Sequence, residues 1–145
     1  MEVDVREISV GKAEEVHRKI PEFDPSYIEE NFEDRVRGND ELILGGFIDG
    51  DIAGYLIAYD RDHDGSYYCW MAGTEPEHRR KGVLSALMDS LEDYVSGRGY
   101  GVLKVKTRNK HRGMLHLLLS QDFNIADITP AESIEETEIH LRKTI

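Results

Sequence analysis

The chain has few of the features that would betray a function at once. Its 145 residues include one cysteine, Cys69, which excludes an internal disulfide and leaves too little thiol for a zinc or iron–sulfur centre. The longest uncharged apolar run, residues 42–48 with two glycines inside it, is far too short to span a bilayer, and no signal-peptide pattern opens the chain. Internal repeats and low-complexity linkers are missing as well. Positive charge is scarce: 18 lysines and arginines stand against 29 acids, for a formal net charge of -11. That balance argues against nucleic-acid binding and for cationic partners. What remains is one compact domain over residues 1–145, expected in the cytoplasm, without membrane or nucleic-acid partners, as a monomer or homodimer.

Two local features read as structural. Cys69 sits among Tyr68, Trp70 and Met71 with no histidine near it in sequence, which suits a small core residue and not a nucleophile. Asp62-His63-Asp64 has metal-ligand chemistry, but followed by Gly65 it reads as a polar hairpin loop. No metal is expected.

The most informative stretch is residues 74–88. A turn marked by Pro76 leads to three consecutive cations, Arg79, Arg80 and Lys81, then to Gly82 at the start of an amphipathic run. Val83, Leu87, Leu91 and Tyr94 recur at helical spacing, with Asp89, Glu92 and Asp93 turned away, and Gly97 and Gly99 end the helix. The free N–H groups of a first helical turn point outward and the helix dipole favours negative charge, so an anion such as a phosphate suits this place. The alternative is an ordinary surface helix with a solvated basic turn. Cations there oppose the dipole and need a reason to be present.

The surrounding pattern alternates strands and helices. Residues 3–9 suit a strand, 11–20 a helix ended by Pro21, and Asp24-Pro25-Ser26 starts a second helix lined by Tyr27, Ile28, Phe32 and Val36. A hairpin over 41–48 and 52–59 turns at Asp49-Gly50, and Gly45, Gly46 and Gly54 inside it hint at bulges. Further strands are expected at 66–73 and 101–107, a short helix at 112–121, and a last hairpin from 123–128 and 133–142. Alternation along 66–73 places Tyr68, Trp70, Ala72 and Thr74 on one face. Charge is uneven too: acids dominate 14–41, whereas 98–121 holds Arg98, Lys104, Lys106, Arg108, Lys110 and Arg112 and no acid.

Thr74-x-Pro76 followed by Arg79-x-x-Gly82-x-Leu84 resembles the acyl-CoA pyrophosphate loop of the GCN5-related N-acetyltransferase (GNAT) superfamily. The resemblance runs through 102–106 to Met114, Leu115, Leu117 and Phe123, with one departure: Leu84 stands where the family prefers Gly or Ala. It implies a mixed α/β (α+β) fold with a mostly antiparallel sheet flanked by helices, in β-α-α-β-β-β-α-β-α-β-β order. It further implies an N-acetyltransferase moving an acetyl group from acetyl-CoA directly to a primary amine, with a non-catalytic acyl-CoA-binding or regulatory domain as the alternative. The acceptor could be a protein N-terminus, a lysine, a polyamine or a small-molecule amine, and the acids of 14–41 favour a cationic one.

By the same resemblance, Arg79, Arg80, Lys81, Gly82, Val83, Leu84 and Ser85 would hold the pyrophosphate, and Ala72 and Thr74 the pantetheine amides. The basic run would meet the 3′-phosphate. Tyr68 occupies the strand position of a frequent Glu base. The family's Asn and its Tyr acid fall on Asn109 and His116 in one anchoring of the last helix. In the other they fall on His111 and Leu118, with Asp122 at the usual Gly.

Overall fold

A computed structural model describes residues 2–23 and 32–145. Strand β1 is Asp4–Glu7, β2 Leu42–Ile48, β3 Asp51–Tyr59, β4 Ser66–Thr74, β5 Val102–Arg108, β6 Asn124–Thr129 and β7 Glu138–Thr144. They form one sheet of seven strands in the order β1-β2-β3-β4-β5-β7-β6, in which only β4 and β5 pair in parallel. The helices are α1 (Val10–Arg18), α2 (Phe32–Val36), α3 (Val83–Ser96) and α4 (Arg112–Ser120). The order of elements is the one expected. The start of the second helix, with Tyr27 and Ile28, lies outside the described residues.

Local chemistry accounts for most of these elements. The Ser9 side chain accepts a hydrogen bond from the Lys12 N–H and caps α1. Asp49 and Gly50 adopt φ of 51° and 85°, the left-handed pair whose twist suits a two-residue hairpin. The tail differs from expectation: residues 134–136 form a 3₁₀ turn, and β7 begins only at Glu138. At the end of α3, Gly97 stays right-handed and Gly99 takes the positive φ of 83°.

The sheet carries a core on each face. Leu44, Leu56, Ala58, Tyr67 and Cys69 pack with Leu87, Met88 and Leu91 of α3, and Leu103, Val105, Ile139 and Leu141 continue this core to Leu118 of α4. On the other face Tyr55, Ile57, Tyr59 and Tyr68 pack with Ala13, Val16, Phe32 and Val36 of α1 and α2. Burial raises the Cys69 thiol to about 12, so it is the inert core residue expected. Near the far end of α3, Asp40 ties loop to helix: its carboxylate accepts from Tyr94 (2.8 Å), Tyr100 (2.7 Å) and Arg98 (3.1 Å).

Candidate active site

Strands β4 and β5 pair only from Ser66↔Val102 to Cys69↔Val105, although both run on, to Thr74 and Arg108. Beyond this point they part, and the facing backbone edges have no strand between them. A wedge opens in the middle of the sheet, with its apex at Cys69 and Val105. Just there β4 carries a bulge: Ile57 faces Met71 and Ala58 faces Cys69, so Trp70 is the extra residue.

The bulge shifts the side-chain alternation. Tyr68, Trp70 and Met71 belong to the α1/α2 face, whereas Cys69 and Ala72 belong to the α3 face. A Cβ on Gly73 would lie 2.6 Å from the Phe23 ring and 2.7 Å from Ile20, so its bare backbone lets the end of α1 close over β4. The shared face expected for Tyr68, Trp70, Ala72 and Thr74 is thus broken in two, because one extra residue inverts everything after it.

From Thr74 the chain enters a 3₁₀ turn, Pro76–His78, and then α3. Gly82 precedes the helix with φ 82°, and a Cβ there would meet nothing within 4 Å, so the glycine serves the left-handed turn and leaves the space before it open. The first intrahelical bond is Ala86 N–H to the Gly82 carbonyl, which leaves Val83, Leu84 and Ser85 as free donors at the helix start. No side chain caps them and no acid lies in the first turn. Leu84 packs its side chain partly into the core, so its bulk does not obstruct its N–H.

Arg80 and Lys81 are exposed beside this turn, while Arg79 pairs with Glu22 at 2.6 Å. On the opposite wall His111 stands just before α4 without capping it through its side chain, and its pKa is lowered by burial and by neighbouring Lys110, against an upward pull from Glu22. Asn109 donates to the Ile134 carbonyl. The basic run is no continuous patch. Arg98 pairs with Asp40, Lys104 with Asp62 and Asp64, and Arg108 and Lys110 with Glu136. Sequence counting cannot see such pairings across the fold.

At the apex Tyr68 is 5% exposed, with the Arg61 guanidinium 3.9 Å from its ring centroid and Tyr59 edge-on. Burial pushes its pKa up to about 12, offset in part by Arg61, which removes it as a direct base near neutrality. The two anchorings place different residues of α4 at the candidate site. Asp122 adopts φ 69°, in the left-handed region, Phe123 is buried, and Leu118 faces the core. His116, two residues and about 200° around the helix from Leu118, is exposed on the outer side. The structure therefore does not bring His116 into the wedge with Tyr68.

Among the described residues, Glu75, Glu77 and His78 are the group whose ligand atoms come within 4.8 Å of one another, and Glu75 already pairs with Lys19 at 3.5 Å. No described helix is long and apolar enough to cross a membrane.

The site is a parted parallel pair feeding a glycine-capped helix, and comparison with known proteins gives the class to which the fold belongs. The profile of the Acetyltransferase (GNAT) family matches residues 7–123, so the chain belongs to that family of acyl-CoA-dependent acetyltransferases. No curated protein sequence is matched. Among solved structures, the ribosomal-protein-S18-alanine N-acetyltransferase of Escherichia coli superposes with a TM-score of 0.80 at 19% identity, covering 99% of this chain and 94% of that one. The PaiA N-acetyltransferase of Thermoplasma acidophilum, in complex with coenzyme A, gives 0.76 at 16% identity over 100% of both chains. A GNAT acetyltransferase from Elizabethkingia anophelis with acetyl-CoA bound gives 0.77 at 14% identity over 99% and 98%.

Proposed function

We propose that this protein transfers the acetyl group of acetyl-CoA directly to the α-amine of an acceptor, in the cytoplasm. The observation that carries the reading is the wedge between β4 and β5 leading without interruption into the free N–H groups of Val83, Leu84 and Ser85. In this reading the pyrophosphate lies against those donors and Gly82, with the side chains of Arg79, Arg80 and Lys81 around it. The backbone edge of β4 near Ala72 and Thr74 pairs with the pantetheine amides. Asn109 and His111 form the far wall, and no metal takes part.

The thioester arrives activated, so the protein's share is position and charge. The amine nitrogen attacks the carbonyl carbon, a C–N bond forms and the C–S bond breaks. An N–H on the open edge of β4 steadies the oxyanion, a contribution worth about 3 kcal/mol in other acyl-transfer sites. Tyr68 orients the amine through its hydroxyl and leaves the proton to water. An α-amine near pKa 8 is roughly one tenth free at pH 7, whereas lysine is free to about one part in two thousand. A site with no strong base therefore suits the former. The thiolate takes its proton from solvent.

Gly82→Asp tests the site: it sets a carboxylate against the phosphates and should weaken acetyl-CoA binding by about a hundredfold or more in calorimetry. Unchanged affinity would displace the cofactor from this turn. A second reading, a non-catalytic acyl-CoA-binding domain, draws on the raised Tyr68 pKa, the outward His116 and the apolar Leu118. Release of free CoA with any of a panel of amines decides against it.

A further inference from the structure

The face of the sheet beside the apex is lined by cations. Leu103, Val105, Ile139 and Leu141 point into the α3/α4 core, so Lys104, Lys106 and Arg108 of β5 point to the opposite face, across from Arg142, His140 and Glu138 of β7. Most of these charges are answered. Lys104 has Asp62 and Asp64, Arg108 has Glu136 and Glu138, and His140 has Thr129 at 2.8 Å and Glu138 at 3.4 Å.

Lys106 is the exception that matters by position. It is the first residue of β5 beyond the last β4 pair, it is exposed, and among the described residues it has no carboxylate within 4 Å. Its Nζ stands 5.9 Å from the Tyr68 ring centroid. Across the aromatic surface Arg35 lies over Trp70 at 4.4 Å and donates to the Tyr59 hydroxyl at 3.2 Å, again without a carboxylate partner among the described residues. Arg61, over the Tyr68 ring at 3.9 Å, is paired with Asp62, so two cations without a carboxylate partner among the described residues flank a ledge of Tyr59, Tyr68 and Trp70 at the point where the strands part.

Among the described residues, four of the acids expected to draw a cationic acceptor are paired with cations elsewhere. Glu33 and Asp34 pair with Arg37, Glu22 with Arg79 and Glu15 with Lys12, and Asp24, Glu29 and Glu30 lie outside the described residues.

We infer that the acceptor of this enzyme is a primary amine bearing a nearby carboxylate, which Arg35 and Lys106 hold across the Tyr68–Trp70 ledge. The inference rests on the acetyl-transfer reading above and adds the acceptor's charge to it. A guanidinium stacked on an aromatic ring is pre-organised for a carboxylate, and a lysine opposite supplies a second donor. The same two charges depress the pKa of an amine beside them, raising its free-base fraction without any side-chain base. They also repel a lysine-like acceptor.

The test uses matched acceptors with the intact protein and acetyl-CoA, reading CoA release. One pair is alanine and alaninamide, which presents or removes an α-carboxylate. The other is two hexapeptides with free N-terminal alanine and either Asp or Asn second. The expected result is a kcat/KM higher by about ten- to a hundredfold for the carboxylate member of one pair, and which pair shows it tells amino acid from acidic N-terminus. The preference should shrink as salt rises from about 0.05 to 0.5 M. Arg35→Gln and Lys106→Gln should each bring the ratio toward one, and Lys106→Glu should favour a peptide with Lys second, while acetyl-CoA affinity reports that each variant is folded. Activity with equal rates within both pairs, or a ratio that survives both Gln variants, overturns this inference and leaves acetyl transfer standing. Acetyl-CoA binding without CoA release on any acceptor overturns acetyl transfer and this inference together.

Discussion

The two halves of the sheet are built on different terms. In the half formed by β2, β3 and β4, the strands contain a single charged residue, Asp51, and both faces are covered, by α3 on one side and α1 with α2 on the other. In the half formed by β5, β7 and β6, α4 covers one face, the other carries alternating charges, and all of β6 is exposed. The first half holds the fold together. The second can afford polar side chains on an open face because its neighbour has already buried the apolar area, and the candidate chemistry sits along the seam between them.

That contrast breaks most visibly under truncation. Leu56→Ala, in the fully buried strand, should cost about 2 to 5 kcal/mol in urea unfolding, whereas Ile125→Ala, on a side chain 52% exposed, should stay within about 0.5 kcal/mol. Similar losses at both would mean that the halves share stability evenly. Across the seam, Tyr68→Phe keeps the packing and removes only the hydroxyl. We expect acetyl transfer to fall by about ten- to a hundredfold with acetyl-CoA affinity unchanged, and to fall further for lysine-like acceptors than for α-amines. Equal rates on every acceptor would make the residue part of the ledge alone.

A further effect concerns Asp40, which fastens the covered half to the end of α3. Burial raises its pKa, but hydrogen bonds from Tyr100, Arg98 and Tyr94 outweigh this and hold it below its ordinary value. A depressed carboxyl contributes stability above its unfolded pKa of about 3.9 and loses it as pH falls through the lower folded value. Asp40→Asn, which tolerates the positive φ of 50°, should therefore cost about 1 to 2 kcal/mol at pH 7, and the gap to wild type should close below about pH 4. A gap independent of pH would assign the cost to shape and not to charge.

Local signals were legible in the sequence and pairings were not. Gly82 could be read because a left-handed residue before a helix needs glycine, and Asp49-Gly50 because the hairpin needs its twist. The Trp70 bulge could not, since it depends on which residue of β3 lies opposite, and so the face of Ala72 was misjudged. The last helix offered two frames at the level of residue spacing, because its apolar residues and its polar ones suggest different anchors. The basic run looked continuous because Arg98 and Asp40, 58 residues apart, meet only when folded.

The wedge between β4 and β5 is also an edge, set inside the sheet instead of at its rim. Exposed edges recruit stray strands, because rows of unpaired N–H and C=O groups accept any extended chain. Here a strand inserted between β4 and β5 would need a gap of about twice 4.8 Å along its whole length, and a wedge closing at Cys69 and Val105 offers that width at only one depth. An edge of this shape discriminates by thickness: it turns away polypeptide aggregation partners and admits a slender chain with amides but no side chains.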